Sequence, residues 1–367
     1  MKDAFLEERH RRLAERFRAF GAEAGAADGS PEARTRELVR AMGASGLLEF
    51  VVPPPAGSMD LRSLVVAREH LAHGSSLADT AFAMQGLGSY PVSLAGTEAQ
   101  RRRWLPAVAR GEVICAFALT EPEAGSDLSA VSTRAARDGA GWRLTGAKTL
   151  ISNAGIAGLV TVLARTGEGK DGLSMFLVAG DVPGLVARPL EALAAHPLGE
   201  LSFEATPAEL LGAEGGGLRI ALATLEVFRP SVGAAACGLA ARALDEAVAW
   251  SRTRRQFGRP LAELQATQLA LAEMHTELMA ARLLVRNAAW LKDQGQERIT
   301  AEAAAAKLLA TETAQRVVDR AVQIHGGQGV LRGSVVERLY REVRSLRIYE
   351  GTSEVQKLII ARELLKQ

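Results

Sequence analysis

The sequence predicts a mainly α-helical protein of the α+β class, with helices and strands in separate blocks. Three observations lead there: apolar residues recur at helical spacing through residues 1–112, short β-forming segments fill residues 113–212, and helical spacing returns over residues 213–367. At 367 residues the chain exceeds the usual size of one hydrophobic core, so more than one compact unit is expected. Because the strands are gathered in one block, a segregated layout fits and an alternating βαβ sheet does not. No GxGxxG follows a strand, so a nucleotide or flavin would be held in some way other than a Rossmann crevice.

The opening MKDAFLEERHRRLAERFRAF places Glu7, Glu8 and Glu15 among its basic residues, which suits a surface helix and not a secretory signal or transit peptide. Interruptions follow at Gly21 to Pro31 and at Val51 to Ser58, where Pro53, Pro54 and Pro55 exclude a helix interior. In the middle block, VICAFALT, GWRLTGAKTLIS, LVTVLA, LSMFLVAG and ELSFEA are rich in β-forming residues and separated by Gly, Asp and Pro turns. Helical spacing resumes after Gly217, and Leu264, Leu271, Met274, Leu278 and Val285 lie on one face of a long helix. Gly295, Gly326, Gly327 and Gly351 punctuate the remaining helices. The Ala-rich run from Thr300 to Ala310 permits close helix approach, or reflects helix propensity alone.

The net charge is +2 with both signs interspersed, which disfavours nucleic acid as a partner. Cys115 and Cys237 stand in apolar surroundings with no CxxC or Cys/His spacing, so neither a metal site nor a disulfide framework is expected, and a reducing compartment fits. No apolar run reaches the length of a membrane span, even the Ala-rich stretch after Pro230 being broken by Arg242. A soluble, cytoplasmic protein is the expectation.

Five segments carry residues suited to chemistry. In CAFALTEPEAGSD, a strand enters a loop with Thr120, Gly125 and Ser126, whose hydroxyls and N–H groups suit a heteroaromatic ring or a phosphate; an ordinary strand-ending turn explains them as well. GAKTLISNAG has no Walker spacing, and a hairpin with Lys148 in solvent accounts for it. The third segment, RTRRQFGRPL, clusters guanidiniums that match phosphate oxygens, with Phe257 as a ring that needs somewhere to pack. In QIHGGQG, glycines end a helix and His325 reads equally as a structural residue. In LRIYEGTSEV, Glu350 follows an Ile-Tyr pair, and partial burial would make it a better base; favourable placement near a helix N-terminus is the competing account.

In this order, ALTEPEAGSD, GAKTLISNAG, LEVFRP, RRQFGRPLAELQ, QIHGGQG and RIYEGTSEVQ resemble the acyl-CoA dehydrogenase family, from about Leu61 to the C-terminus. The resemblance implies an N-terminal helical domain, a middle β-barrel domain and a C-terminal four-helix bundle, assembled as a homotetramer built from two dimers. It also implies FAD. Phe117, Leu119, Thr120, Gly125 and Ser126 would line the isoalloxazine, with Ser126 also near the substrate, and Leu150 and Ser152 would form a second flavin stretch. Arg254, Gln256, Phe257, Gln265, Gln323 and Gly327 would reach the flavin of a partner subunit, and Thr352 and Glu354 that of their own. Glu350 falls on the catalytic-base position, with Gly351, Glu226 and Arg229 toward the substrate.

The implied reaction removes the Cα proton of an acyl-CoA through Glu350 while the flavin N5 accepts the Cβ hydride, giving a trans-2-enoyl thioester; an electron-transfer flavoprotein or another acceptor would take the electrons. The chain departs from the family pattern at Leu150, where Trp is frequent, in VVPPPAGSMD, and around Ala195 to Ser202. Phe228 occupies the helix position that bears the base in some relatives. Alternatives are a dehydrogenase of carrier-protein-bound acyl groups in secondary metabolism, and a flavin-free binding relative without activity.

Overall fold

The computed structural model describes residues 4–25, 29–54 and 58–366, so Pro55 and part of the VVPPPAGSMD stretch lie outside the described residues. Helices α1 (Glu8–Ala24), α2 (Pro31–Ala44), α3 (Leu61–Gly74), α4 (Ser76–Ala95) and α5 (Glu98–Ala109) come first. Strands β1 (Cys115–Ala118), β2 (Arg134–Asp138), β3 (Gly141–Ser152), β4 (Leu159–Arg165), β5 (Leu173–Ala179), β6 (Leu185–Pro189) and β7 (Leu198–Leu211) follow. After α6 (Gly217–Thr253) come the short strands β8 (Arg255–Gln256) and β9 (Arg259–Pro260), then α7 (Gln265–Asp293), α8 (Thr300–His325), α9 (Val335–Val343) and α10 (Ser353–Leu364).

Packing divides the chain into two compact units, one of residues 1–26, 60–79 and 226–367, the other of residues 27–59 and 80–225. The helices before the strands are thus shared between the two units, a division that differs from linear boundaries at residues 112 and 212.

In the helical unit, glycines set the crossings. Gly21 does not interrupt α1 as its sequence context suggests; it lies inside the helix at the crossing with α3, where a Cβ on Gly74 would stand 2.3 Å from the Gly21 carbonyl carbon. The Ala-rich start of α8 packs against α6: a Cβ on Gly233 would meet Ala306 O at 3.2 Å and the Ala310 Cβ at 3.3 Å. Along α7, Met274, Leu278 and Val285 are buried as the spacing predicts, while Leu271 is half-buried and Leu264 only caps the helix. The expectation that no segment is apolar enough to cross a membrane needs correction. By length and composition α6 qualifies, because one arginine does not offset its alanines, yet 83% of its most apolar window is buried inside the protein, as befits a core helix.

In the other unit, pairing runs from β4 through β2, β3, β7 and β5 and back to β4, which closes a ring of five strands; β1 joins β4 in parallel and β6 joins β7. Strand β7 serves two neighbours in succession, β6 over Gly199 to Phe203 and β5 over Glu209 to Leu211, and Ala205 between them has φ 48°. Inside the ring, Trp142 meets Phe176 edge to face at 5.4 Å, with Leu144, Val160, Val162, Leu201 and Phe203 filling the remainder. Helices α2 and α5 of this unit carry the caps their sequences announce: Ser30 Oγ accepts from the Ala33 N–H, with Pro31 as first helical residue, and Thr97 and Gln100 form a capping box.

Candidate active site

Glu350 sits in a sharp reversal between a 3₁₀ turn (Arg344–Arg347) and α10. It has φ 53°, Gly351 has φ 94°, and Thr352 then caps α10 by accepting from the Val355 N–H at 3.3 Å. A left-handed backbone at a non-glycine residue costs about 1–3 kcal/mol and persists where the surroundings enforce it. Here three side chains do so. Arg229 Nε of α6 donates to the Glu350 carbonyl at 3.3 Å, Gln356 Nε2 of α10 donates to the carbonyls of Glu350 (3.2 Å) and Gly351 (2.9 Å), and Lys307 Nζ of α8 donates to the Gly351 carbonyl at 2.8 Å.

The carboxyl itself turns inward. Its Oε2 is buried and has no hydrogen-bond partner among the described residues. Burial pushes the Glu350 pKa above the ordinary glutamate range, and the charges of Arg68, Lys307 and Arg229 pull it back in part. Arg68 is already committed, donating to both Asp79 oxygens at 2.8 and 2.7 Å and to Ser231 Oγ at 2.9 Å. The helix-terminus account of Glu350 therefore fails: Thr352 occupies the cap, and the carboxyl belongs to a buried, mainly cationic pocket.

Of the other expected substrate residues, Arg229 and Gly351 lie at this pocket. Glu226 is turned to a structural task, since its carboxylate accepts from the Ile299 N–H and the Thr300 hydroxyl at the start of α8. Phe228 is fully buried. Glu354 is exposed in the first turn of α10.

In the strand unit, β1 leads into the loop with Phe117 and Thr120 half-buried, Leu119 buried, and Gly125 and Ser126 exposed. Lys148 corrects the expectation of a solvent-facing side chain at a turn. Residues 141–152 form one strand, and Lys148 is fully buried, donating to the Leu119 carbonyl at 2.9 Å and to Glu121 Oε1 at 2.8 Å. Glu121 also accepts from the Ser132 N–H and hydroxyl and from the Thr133 N–H; against the effect of burial, the Lys148 charge first and then these donors hold its pKa down to about 2. The pair clamps the loop that bears Thr120 to β3, where the Thr149 N–H donates to the Thr120 carbonyl at 3.0 Å. Two residues on, the register of β3 slips between Lys148 and Ile151; Leu150 stands there with φ 57° and 61% exposed, and Ser152 ends the strand half-buried.

Between α6 and α7, β8 and β9 form a hairpin whose two loop residues, Phe257 and Gly258, have φ 51° and 79°, the signature of a type I′ turn. Within this chain Phe257 is 89% exposed, so the described residues do not bury its ring. Arg254, Gln256, Gln265, Gln323 and Gly327 are exposed as well. His325 is structural, its Nδ1 at 2.7 Å from the Ala321 carbonyl and its ring stacked on Trp250 at 5.1 Å. Sequence reasoning missed Arg68, Lys307 and Gln356 at the Glu350 pocket. A lone lysine within the run AAAAKLLA was the available signal.

Comparison with known proteins bears on what this pocket serves. Models of the acyl-CoA dehydrogenase N-terminal, middle and C-terminal domains match residues 7–112, 116–206 and 215–365. The chain belongs to the acyl-CoA dehydrogenase family. Among similar proteins, the 3-(aryl)acrylate reductase of Clostridium sporogenes is 40% identical over 342 residues, 90% of each chain. Among solved structures, the butyryl-CoA dehydrogenase of Megasphaera elsdenii superposes with a TM-score of 0.90 at 32% identity over 100% of both chains. A glutaryl-CoA dehydrogenase from Mycobacterium smegmatis in complex with FADH2 gives 0.91 at 30% identity, covering 100% of this chain and 97% of that one. The expected fold, the oxidoreductase class and FAD as cofactor of this acyl-CoA dehydrogenase family member hold.

Proposed function

We propose that this acyl-CoA dehydrogenase family member oxidises the Cα–Cβ bond of an acyl-CoA thioester, with Glu350 removing the Cα proton. The observation that supports this reading is the buried, unpartnered Oε2 of Glu350 on a backbone pinned by three side chains. An α proton of a thioester is weakly acidic, so its removal calls for a carboxylate stripped of water and raised in pKa, held in one direction. The Glu350 N–H has no acceptor among the described residues, which leaves it free to donate to the thioester carbonyl and stabilise developing enolate charge.

The residues present fit the cofactor. On the strand unit Phe117, Leu119, Thr120, Gly125, Ser126, Leu150 and Ser152 would line the flavin, with Thr120 half-buried and Gly125, Ser126 and Leu150 exposed to meet it. FAD, when bound, supplies the acceptor for the hydride from Cβ. Phe257 sits with Arg254 and Gln256 on an exposed hairpin, which suits a contact made by a second copy of the chain, so a homo-oligomer in which Gln265, Gln323 and Gly327 also cross to the partner is part of the proposal.

The test is the variant Glu350→Gln. It keeps the flavin, and its anaerobic flavin bleaching by an acyl-CoA falls by about 10²–10⁴-fold. Undiminished bleaching would overturn the assignment. The substrate is found by the same readout over short, branched, long and aromatic acyl-CoAs.

A further inference from the structure

Lys307 lies in the middle of α8, fully buried, and its ammonium donates to the Gly351 carbonyl at 2.8 Å. A lysine seldom enters an interior without a carboxylate to pair with, because the uncompensated charge is costly there. Lys307 has no ion pair among the described residues, and neither has Arg229, the other cation beside the turn. Arg68 differs, being paired with Asp79. Glu312, the acid of α8 that faces it, is occupied by Arg347 and Ser353.

We infer that Lys307 is a positioning residue whose buried charge keeps the Glu350 carboxyl ionised in the resting enzyme. This inference rests on the reading of Glu350 as the base.

The geometry separates charge from scaffolding. Gln356 Nε2 donates to the same Gly351 carbonyl at 2.9 Å, so that oxygen keeps a donor when Lys307 is replaced. What that donor does not supply is charge: with Lys307 replaced, Arg229 alone is left beside the turn as a cation without an ion pair among the described residues. The groups facing Glu350 are Arg68 with its partner Asp79, Arg229 on α6, Lys307 on α8 and the adjacent Tyr349; those facing Lys307 are Glu350, Arg229, Glu312 and Glu354. Burial draws Lys307 down to about 8, so it carries its charge at neutral pH and loses it in mild alkali.

Removing the charge raises the Glu350 pKa, so at a given pH a smaller fraction of the carboxyl is ionised and proton abstraction slows. The loss is greatest in acid and shrinks as pH rises past the new value. A role in folding or shape alone would lower the rate by one factor at every pH.

The experiment uses the flavin-loaded protein with Lys307→Met and Lys307→Gln, the latter keeping a donor and serving where methionine does not fold. Two readouts are taken. One is infrared titration of the resting enzyme, following the carboxyl band that vanishes in Glu350→Gln; the other is the pH profile of anaerobic flavin reduction by butyryl-CoA. Both variants should titrate at least about one pH unit above the parent, with the acid limb of the rate profile displaced equally. A variant that titrates with the parent, or a loss that is uniform across pH, overturns the inference. Failure of the base assignment is distinguishable, because Glu350→Gln would then reduce its flavin at the parental rate while the infrared shift stood.

Discussion

The two compact units each bury a lysine and a glutamate, and they do so in opposite ways. In the strand unit Lys148 and Glu121 face each other at 2.8 Å, and the glutamate takes three further donors. In the helical unit Lys307 donates to a backbone carbonyl, and the glutamate nearby leaves one oxygen buried with no partner. A saturated pair is inert, and what it does is fasten a loop. An unsaturated one retains reactivity, and its cost is met by the packing around it.

The sharpest way to break this comparison is to remove one member from each side. Lys148→Met leaves Glu121 buried with a charge, and should destabilise the fold by about 3–5 kcal/mol in urea unfolding. Glu350→Gln should leave stability unchanged or raise it, since burial outweighs the pull of Arg68, Lys307 and Arg229 and makes the ionised carboxyl a net penalty. Equal losses in the two variants would mean that the sites do not differ in kind.

The pH dependence sharpens the contrast with smaller effects. Glu121 titrates near 2 when folded, so its contribution is complete above the ordinary glutamate value and is lost as pH falls toward 2. Glu350 is shifted the other way. Its penalty is absent in acid and grows as pH rises from the ordinary value through the raised one, so the stability gained in Glu350→Gln should be larger at neutral pH than near pH ~4. Urea unfolding at both values checks this; a gain independent of pH would contradict it. Smallest is the hairpin tip. Phe257→Gly relieves a left-handed phenylalanine at an exposed site and should stabilise the fold by about 1 kcal/mol, while flavin release on dilution quickens. Unchanged release would remove Phe257 from the proposed cofactor contacts.

The layout was legible because its signals are local. Turn residues separate the strands, the spacing of Met274, Leu278 and Val285 marks a helix face, and an acid in RIYEGTSEV stands where a helix must begin. What was not legible depends on which residues meet across the fold. Lys148 stands two residues after Gly146 and reads as a turn residue until a neighbouring loop supplies Glu121. Lys307 and Arg68 lie in good helix-forming runs, where propensity is silent about which face is buried. Gly21 reads as a break, and only the crossing with α3 shows why a residue without a side chain stands inside a helix. Phe257 differs again: its ring is exposed within its own chain, and only the family resemblance points to a partner subunit as the place where it packs.

The reversal at Glu350 and Gly351 has a consequence for how this segment tolerates change. Stretches between helices usually absorb an added or deleted residue with little harm. Here two consecutive carbonyls are gripped from α6, α8 and α10 at once, so a shift of one position would detach every grip together. Length, more than composition, should be the property held fixed between Arg347 and Thr352.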